Sequence, residues 1–356
     1  MDGVRQVAVK CPIRCVLVVL LAAAVSFVSG GAIAGPAAGS QDAAPLVPRN
    51  VVLAKTSASG LAAGAFMAVQ FHVAHSSEMA GVGLIAGGPY LCAAGNPLMA
   101  AACMQGNALW PHGQSLYEAA LPLAMTGAID PLDRLTEAQV YLFSGTADMV
   151  VNRKAVEETE AFYRAAHVPP NRIRMETGLE AGNGFIAPGG VNDCNANRSP
   201  YVNACGDYDQ AGRILSHIYG GLNPPLENQG AGQPAASPFD QTPFGDPVRT
   251  GLAPAGYVYV PPACAGGAAC AVHIVFHGCR QSAAEVGDAV TAGAGFNRWA
   301  ANNNLIVLYP QLSPRRSADP IACWDWIGTT GADYATKGGA QIAAVHAMLT
   351  TLAGQR

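Results

Sequence analysis

The stretch Lys55 to Phe71 reads KTSASGLAAGAFMAVQF. Its Gly60-Leu61-Ala62-Ala63-Gly64 has the G-x-S-x-G pattern of the turn that presents a nucleophilic serine, with alanine at the centre. Glycines flank such a turn because it is sharp and the backbone and following helix pack closely. The residue after the centre, Ala63, offers a backbone N–H that stabilises an oxyanion whatever its side chain. Ala62 itself carries only a methyl group, which nothing can activate as a nucleophile. Ser57 and Ser59 are near, but Ser59 lies three residues before the centre, on the strand side, where its side chain points elsewhere. His72 and His75 fall on the following helix, one to three turns away.

Two further stretches fit an acyl-transfer site. In YLFSGTADMVV a buried strand runs into Gly145-Thr146-Ala147-Asp148, which brings an acid to the carboxyl end of a sheet, where it could orient a histidine. An ordinary turn aspartate is the competing reading. In AVHIVFHGC a strand ends in His277-Gly278-Cys279, the way many esterases build the loop with the second oxyanion N–H, here that of Cys279. His277 reads as a structural member of this loop rather than a base. The oxyanion strand normally precedes the nucleophile in an α/β-hydrolase, whereas here it follows some two hundred residues later. Both assignments together imply a circularly permuted chain, which surface termini lying close together make tolerable.

The elements that must hold these residues alternate between the two periods. GVGLIAGG (81–88), QVYLFSG (139–145), AGYVYVPP, AVHIVFHGC and NLIVLYPQ read as strands, and RIRMET (172–177) as an edge strand. Helices are expected after the elbow, at 152–166, at 209–222, around Glu285 to Asn302, and from about Gly338 to Leu352. Strands alternating with helices predict a mostly parallel sheet covered by helices on both faces.

The first residues carry Arg5, Lys10 and Arg14, then the apolar run CVLVVLLAAAVSFV and an Ala32-Ile33-Ala34 cleavage pattern. Residues 1–34 therefore read as a secretory signal. The apolar run is shorter than the roughly 18 to 20 residues a membrane span needs, so no stable membrane anchor is expected. Residues 35–49 read as a flexible leader and 50–356 as a single domain, with a Pro/Gly-rich excursion at about 223–247. The chain has a formal charge of −4, which becomes more acidic once three basic residues and Asp2 leave with the signal. Lacking any basic run, it gives no sign of a nucleic-acid partner, and uncharged ligands suit it better.

Eight of the ten cysteines remain after cleavage. An even number in an exported chain suggests disulfides, with proximity favouring 92 with 103, 194 with 205 and 264 with 270, and leaving 279 with 323. About a hundred connectivities are open to eight cysteines, so proximity is a preference only. No C-x-x-C spacing points to a metal, and no cofactor is expected.

The chain resembles the secreted single-domain polyhydroxybutyrate (PHB) depolymerases, a circularly permuted α/β-hydrolase type. The matching stretches are SGLAAGAFMAVQFHVAHS, GLIAGGPYLCA, FSGTADMVV and SPYVNACGDYDQAG before the excursion. After it come GYVYVPPAC, HIVFHGCRQS, GFNRWAANNNLIVLYPQ and CWDWIG. The likeness runs from about residue 50 to the C-terminus. It implies a nucleophile position at Ala62, an acid at Asp148 and a triad histidine position at Asn183, in GLEAGNGF. It also implies oxyanion donors at Ala63 and Cys279, a cleft tryptophan at Trp326, and the pairs Cys92–Cys103, Cys194–Cys205, Cys264–Cys270 and Cys279–Cys323. Two triad positions thus depart from the pattern, since neither a methyl group nor a carboxamide does the work of hydroxyl or imidazole near neutral pH. Three readings follow: a secreted esterase homologue binding a polyester or small ester with little or no hydrolysis; an active hydrolase with another nucleophile; and a non-catalytic binding or scaffold protein.

Overall fold

The computed structural model describes residues 43–105, 111–225, 235–314 and 321–355. The proposed signal, 1–34, lies outside them, as does the leader up to residue 42. Eleven strands are present among the described residues: β1 Thr56–Leu61, β2 Met79–Ile85, β3 Gln139–Phe143, β4 Ile173–Glu176, β5 Phe185–Ile186, β6 Asn192–Asp193, β7 Val202–Ala204, β8 Ser237–Asp240, β9 Ala255–Tyr259, β10 Ala271–Phe276 and β11 Leu305–Tyr309. The helices are α1 Ala63–Ala74, α2 Pro97–Gln105, α3 Gly113–Met125, α4 Arg153–Ala165, α5 Gln210–Tyr219, α6 Pro247–Thr250, α7 Pro262–Ala265, α8 Ala283–Val286, α9 Phe296–Ala300 and α10 Ala340–Leu352. None is long and apolar enough to cross a membrane.

One sheet has the order β4-β3-β2-β1-β10-β11-β9-β8, and β5, β7 and β6 form a second, small one. The large sheet is parallel from β4 to β11 and antiparallel where β9 and β8 join. Alternate residues of each strand serve opposite faces, as the pleat requires. Val82, Leu142, Ile274 and Leu308 pack with α1, α4 and α10 in one apolar cluster. Ile85, Phe143, Val275 and Val307 pack with α5 and α9 in the other. All twelve residues of α1 are buried, so this helix is not amphipathic but lies wholly inside. The register aligns Gly60 with Leu84 of β2 and Phe276 of β10, so the loops after these strands open on one edge of the sheet.

Three expectations change. The leader's last residues are docked: Asp240 N donates to Ala44 O at 2.9 Å, Arg49 N donates to Leu352 O at 2.6 Å, and Leu46 is buried. The Pro/Gly-rich excursion contains β8, an edge strand whose Phe239 is buried; the edge tolerates Pro238, which has no N–H to donate. The helix expected around 285–302 is two short ones, α8 and α9, because Gly287 and Gly295 turn the chain with positive φ of 62° and 88°. All four cysteine pairs are disulfides.

Candidate active site

β1 runs into a strained turn at Ala62, with φ 50° and ψ −117°, held by its N–H on Ile85 O at 3.0 Å. A side chain costs about 1–2 kcal/mol in such positive-φ geometry. The flanking glycines are steric necessities: a Cβ on Gly60 would sit 2.1 Å from Gly64 O, and one on Gly64 would sit 2.3 Å from Phe276 O and 2.5 Å from His277 O. The first turn of α1 is thereby pressed against the end of β10, and the loop carrying Gly278 and Cys279 reaches the elbow. Ala63 opens α1, so its N–H has no intrahelical acceptor and stands at the positive end of the helix dipole.

The loop expected to supply the second oxyanion N–H is fixed from several sides. Gly278 N donates to Gln281 Oε1 at 2.7 Å, and Gln281 Nε2 donates to Pro200 O at 2.9 Å. Arg280 N donates to Ile321 O at 2.8 Å, and Cys279–Cys323 ties the loop to the segment that carries Trp326. His277 belongs to this framework. Its Nδ1–H donates to Gly278 O at 2.7 Å, while Nε2 accepts from Leu312 N at 3.2 Å. Burial lowers its pKa to about 4, so it is neutral and structural.

Asp148 follows β3. Its Oδ1 accepts from Val150 N at 2.8 Å and Val151 N at 3.0 Å. Its Oδ2 accepts from Asn183 Nδ2 at 2.9 Å. Burial raises its pKa against the opposing pull of these bonds. Asn183 is 4 % exposed. The acid loop and the Asn183 loop are bound together through Asn197, which sequence reasoning missed. Its Oδ1 accepts from Asn183 N at 2.8 Å and Met149 N at 3.1 Å, and its Nδ2 donates to Ala147 O at 2.9 Å. The only sequence trace was a polar loop clasped between Cys194 and Cys205.

Ala62, Ala63, Asn183, Cys279 and Trp326 all line one cavity of about 250 Å³. Its remaining wall is largely apolar, with Phe66, Met104, Val150 and Tyr201 among the lining residues. Trp326 stacks on Phe66, with ring centroids 4.1 Å apart and planes within 17°. The serine and histidine side chains nearest the elbow in sequence are elsewhere. Ser57 and Ser59 are fully buried on the α5 and α9 side of the sheet, bonded to His273 Nδ1 at 2.6 Å and Nε2 at 2.8 Å. His72 is fully buried against Tyr163 Oη at 2.8 Å, and His75 is the C-cap of α1, at the helix end remote from the elbow. None of these four lines the cavity.

The sequence profile described as Esterase PHB depolymerase matches residues 255–356. A poly(3-hydroxybutyrate) depolymerase of Delftia acidovorans is 38 % identical over 328 residues, 90 % of this chain and 64 % of that protein. The chain thus spans about two thirds of that relative's length. A polyhydroxybutyrate depolymerase of Talaromyces funiculosus is 32 % identical over 323 residues, 86 % of this chain and 91 % of the relative. Among solved structures, a PHB depolymerase with a serine-to-alanine substitution, complexed with an R3HB trimer, superposes with a TM-score of 0.79 at 31 % identity, covering 88 % of this chain and all of that one. The crystal structure of PHB depolymerase from Penicillium funiculosum gives 0.79 at 30 % identity with the same coverage. The mostly parallel, helix-covered sheet is of the α/β-hydrolase type, and the chain belongs to the PHB depolymerase family of esterases.

Proposed function

We propose that this chain binds a polyester segment or short ester in the Ala62 cavity and leaves it uncleaved. The observation that carries the reading is a pair of side chains lining the cavity: a methyl group at the elbow apex, and a carboxamide bonded to Asp148 where a base would stand. Elbow strain, close-packed glycines and oxyanion loop support a scaffold that keeps an ester carbonyl's binding place without its attacking atom. Loss of either triad member typically costs on the order of 10⁶ in turnover, and loss of both costs little more because they act as a unit. Donor N–H groups alone leave roughly 10³-fold over water.

The apolar wall and the Phe66–Trp326 stack suit an uncharged aliphatic polyester. The neighbour solved with an R3HB trimer supports an oligomer of that class as the first ligand to try. The strand order supports a circular permutation, since the elbow strand β1 comes first in sequence yet lies beside β10, which feeds the oxyanion loop. Four disulfides support export.

Calorimetric titration with (R)-3-hydroxybutyrate trimer, followed by chromatography of the recovered ligand, tests the reading. Saturable binding with intact trimer is expected. Release of monomer or dimer would favour an active hydrolase, and no binding at all would favour a scaffold role.

A further inference from the structure

α1 starts at the elbow and ends at His75, and twelve helical residues put about 18 Å between its ends. The 3-10 turn Ser76–Glu78 follows directly, and α10 brings His346 against it. His346 Nε2 lies 3.0 Å from Glu78 Oε2, and the His75 and His346 rings stack with centroids 3.9 Å apart and planes within 3°. One ring nitrogen of each histidine and one oxygen of Glu78 all lie within 4.8 Å of one another. His75 is 6 % exposed, and its Nε2 is buried with no hydrogen-bond partner. Buried imidazole nitrogens are ordinarily paired, so this orphan points to an absent ligand.

We propose that His75, Glu78 and His346 form a divalent transition-metal site, with zinc the best fit, that pins the far end of α1 to α10. Two imidazoles and a carboxylate are a donor set that zinc accepts with a fourth position left to water. Calcium and magnesium call for oxygen-rich shells and do not suit it. Tetrahedral bonds of about 2.0–2.2 Å need donors roughly 3.3–3.5 Å apart, so loading draws the three groups inward. It also turns the His346 ring out of the parallel stack, because imidazole lone pairs lie in the ring plane. Glu78 and His346 are 29 % and 26 % exposed in their side chains, which gives the ion an entry path and the ring room to turn.

Two charged neighbours lie beside the site. Asp130 and Lys337 also act on His75. Lys337 Nζ is 2.5 Å from Asp130 Oδ1, and Ser77 N donates to Asp130 Oδ2 at 2.8 Å, so Asp130 is already committed. Asp130 and Lys337 offset one another, and Glu78 is the remaining carboxylate grouped with the two imidazoles.

The test uses untagged protein, since a histidine tag would itself bind zinc. The chain is stripped with chelator, desalted, and titrated with Zn²⁺ alongside Glu78→Gln and His346→Gln. Bound metal is read by elemental analysis, and Co²⁺ loading by the visible spectrum of four-coordinate cobalt. One equivalent of zinc, a rise in Tm on its addition, and at least about tenfold weaker binding in each variant are expected. Because the readout is the increment that zinc produces, a variant of lower intrinsic stability remains informative. Zinc retained equally by all three proteins, or by none, would overturn the site.

Discussion

Introducing a hydroxyl at position 62 and an imidazole at position 183 is expected to create esterase activity that neither replacement creates alone. The geometry for this is already present. Asn183 Nδ2 donates to Asp148 Oδ2 at 2.9 Å, and the Nδ1–H of a histidine branches at the same point of the side chain, so Asn183→His retains that bond. The imidazole then carries Nε2 further into the cavity that Ala62 also lines. Its two additional ring atoms need about the room of one water, ~30 Å³, and the cavity offers about 250 Å³. Ala62→Ser adds one atom at an elbow whose strain is already borne. A complete triad restores on the order of 10⁶ in turnover, and misplacement by about 1 Å forfeits roughly 10² of it. The double variant should therefore exceed the parent by about 10³–10⁴ in kcat/KM on a p-nitrophenyl butyrate assay. Each single variant should stay within about tenfold of the parent. A folded double variant no faster than the parent, or an Ala62→Ser variant as fast as the double, would refute the assignment of these two positions.

Further outcomes follow from the same geometry. Replacing both Cys279 and Cys323 by serine releases a link across 44 residues, a chain-entropy loss of about 4 kcal/mol against about 2 kcal/mol for the six-residue Cys264–Cys270 link, measurable by urea denaturation. Trp326→Ala removes a nearly buried ring stacked on Phe66 and should cost about 3–5 kcal/mol, whereas Trp326→Phe should fold well and weaken only trimer binding. Gly64→Ala drives a methyl into the carbonyls ending β10, and should lower Tm as well as trimer affinity. Asp148 has a raised folded pKa, so its contribution to stability is fully present below the unfolded value of 3.8 and is lost as pH rises through the folded one; Asp148→Asn should flatten the dependence of Tm on pH over that window.

What the sequence disclosed was local. Gly60 and Gly64 announce the elbow because a close approach between neighbouring turns leaves no room for a side chain, and that demand is written four residues apart. Three cysteine pairs are close in sequence, so proximity favoured them. Asp148 alone was indistinguishable from a turn aspartate, and its pairing with Asn183 came only through a family likeness. The bridging role of Asn197 depends on two loops meeting in space, which no spacing encodes. β8 was hidden because an edge strand can be short and contain proline, so it reads as linker. The pairing of Glu78 with His346 spans 268 residues, and a search for short metal-binding spacings passes over it.

Incubation with an alkyl fluorophosphonate and mass mapping of the intact protein decides whether any serine of this chain is nucleophilic, because the reagent reports a serine activated by a base. No adduct is expected on the parent chain, and a stoichiometric adduct is expected at position 62 in the Ala62→Ser, Asn183→His double variant. An adduct on any serine of the parent, Ser57 and Ser59 included, would contradict it.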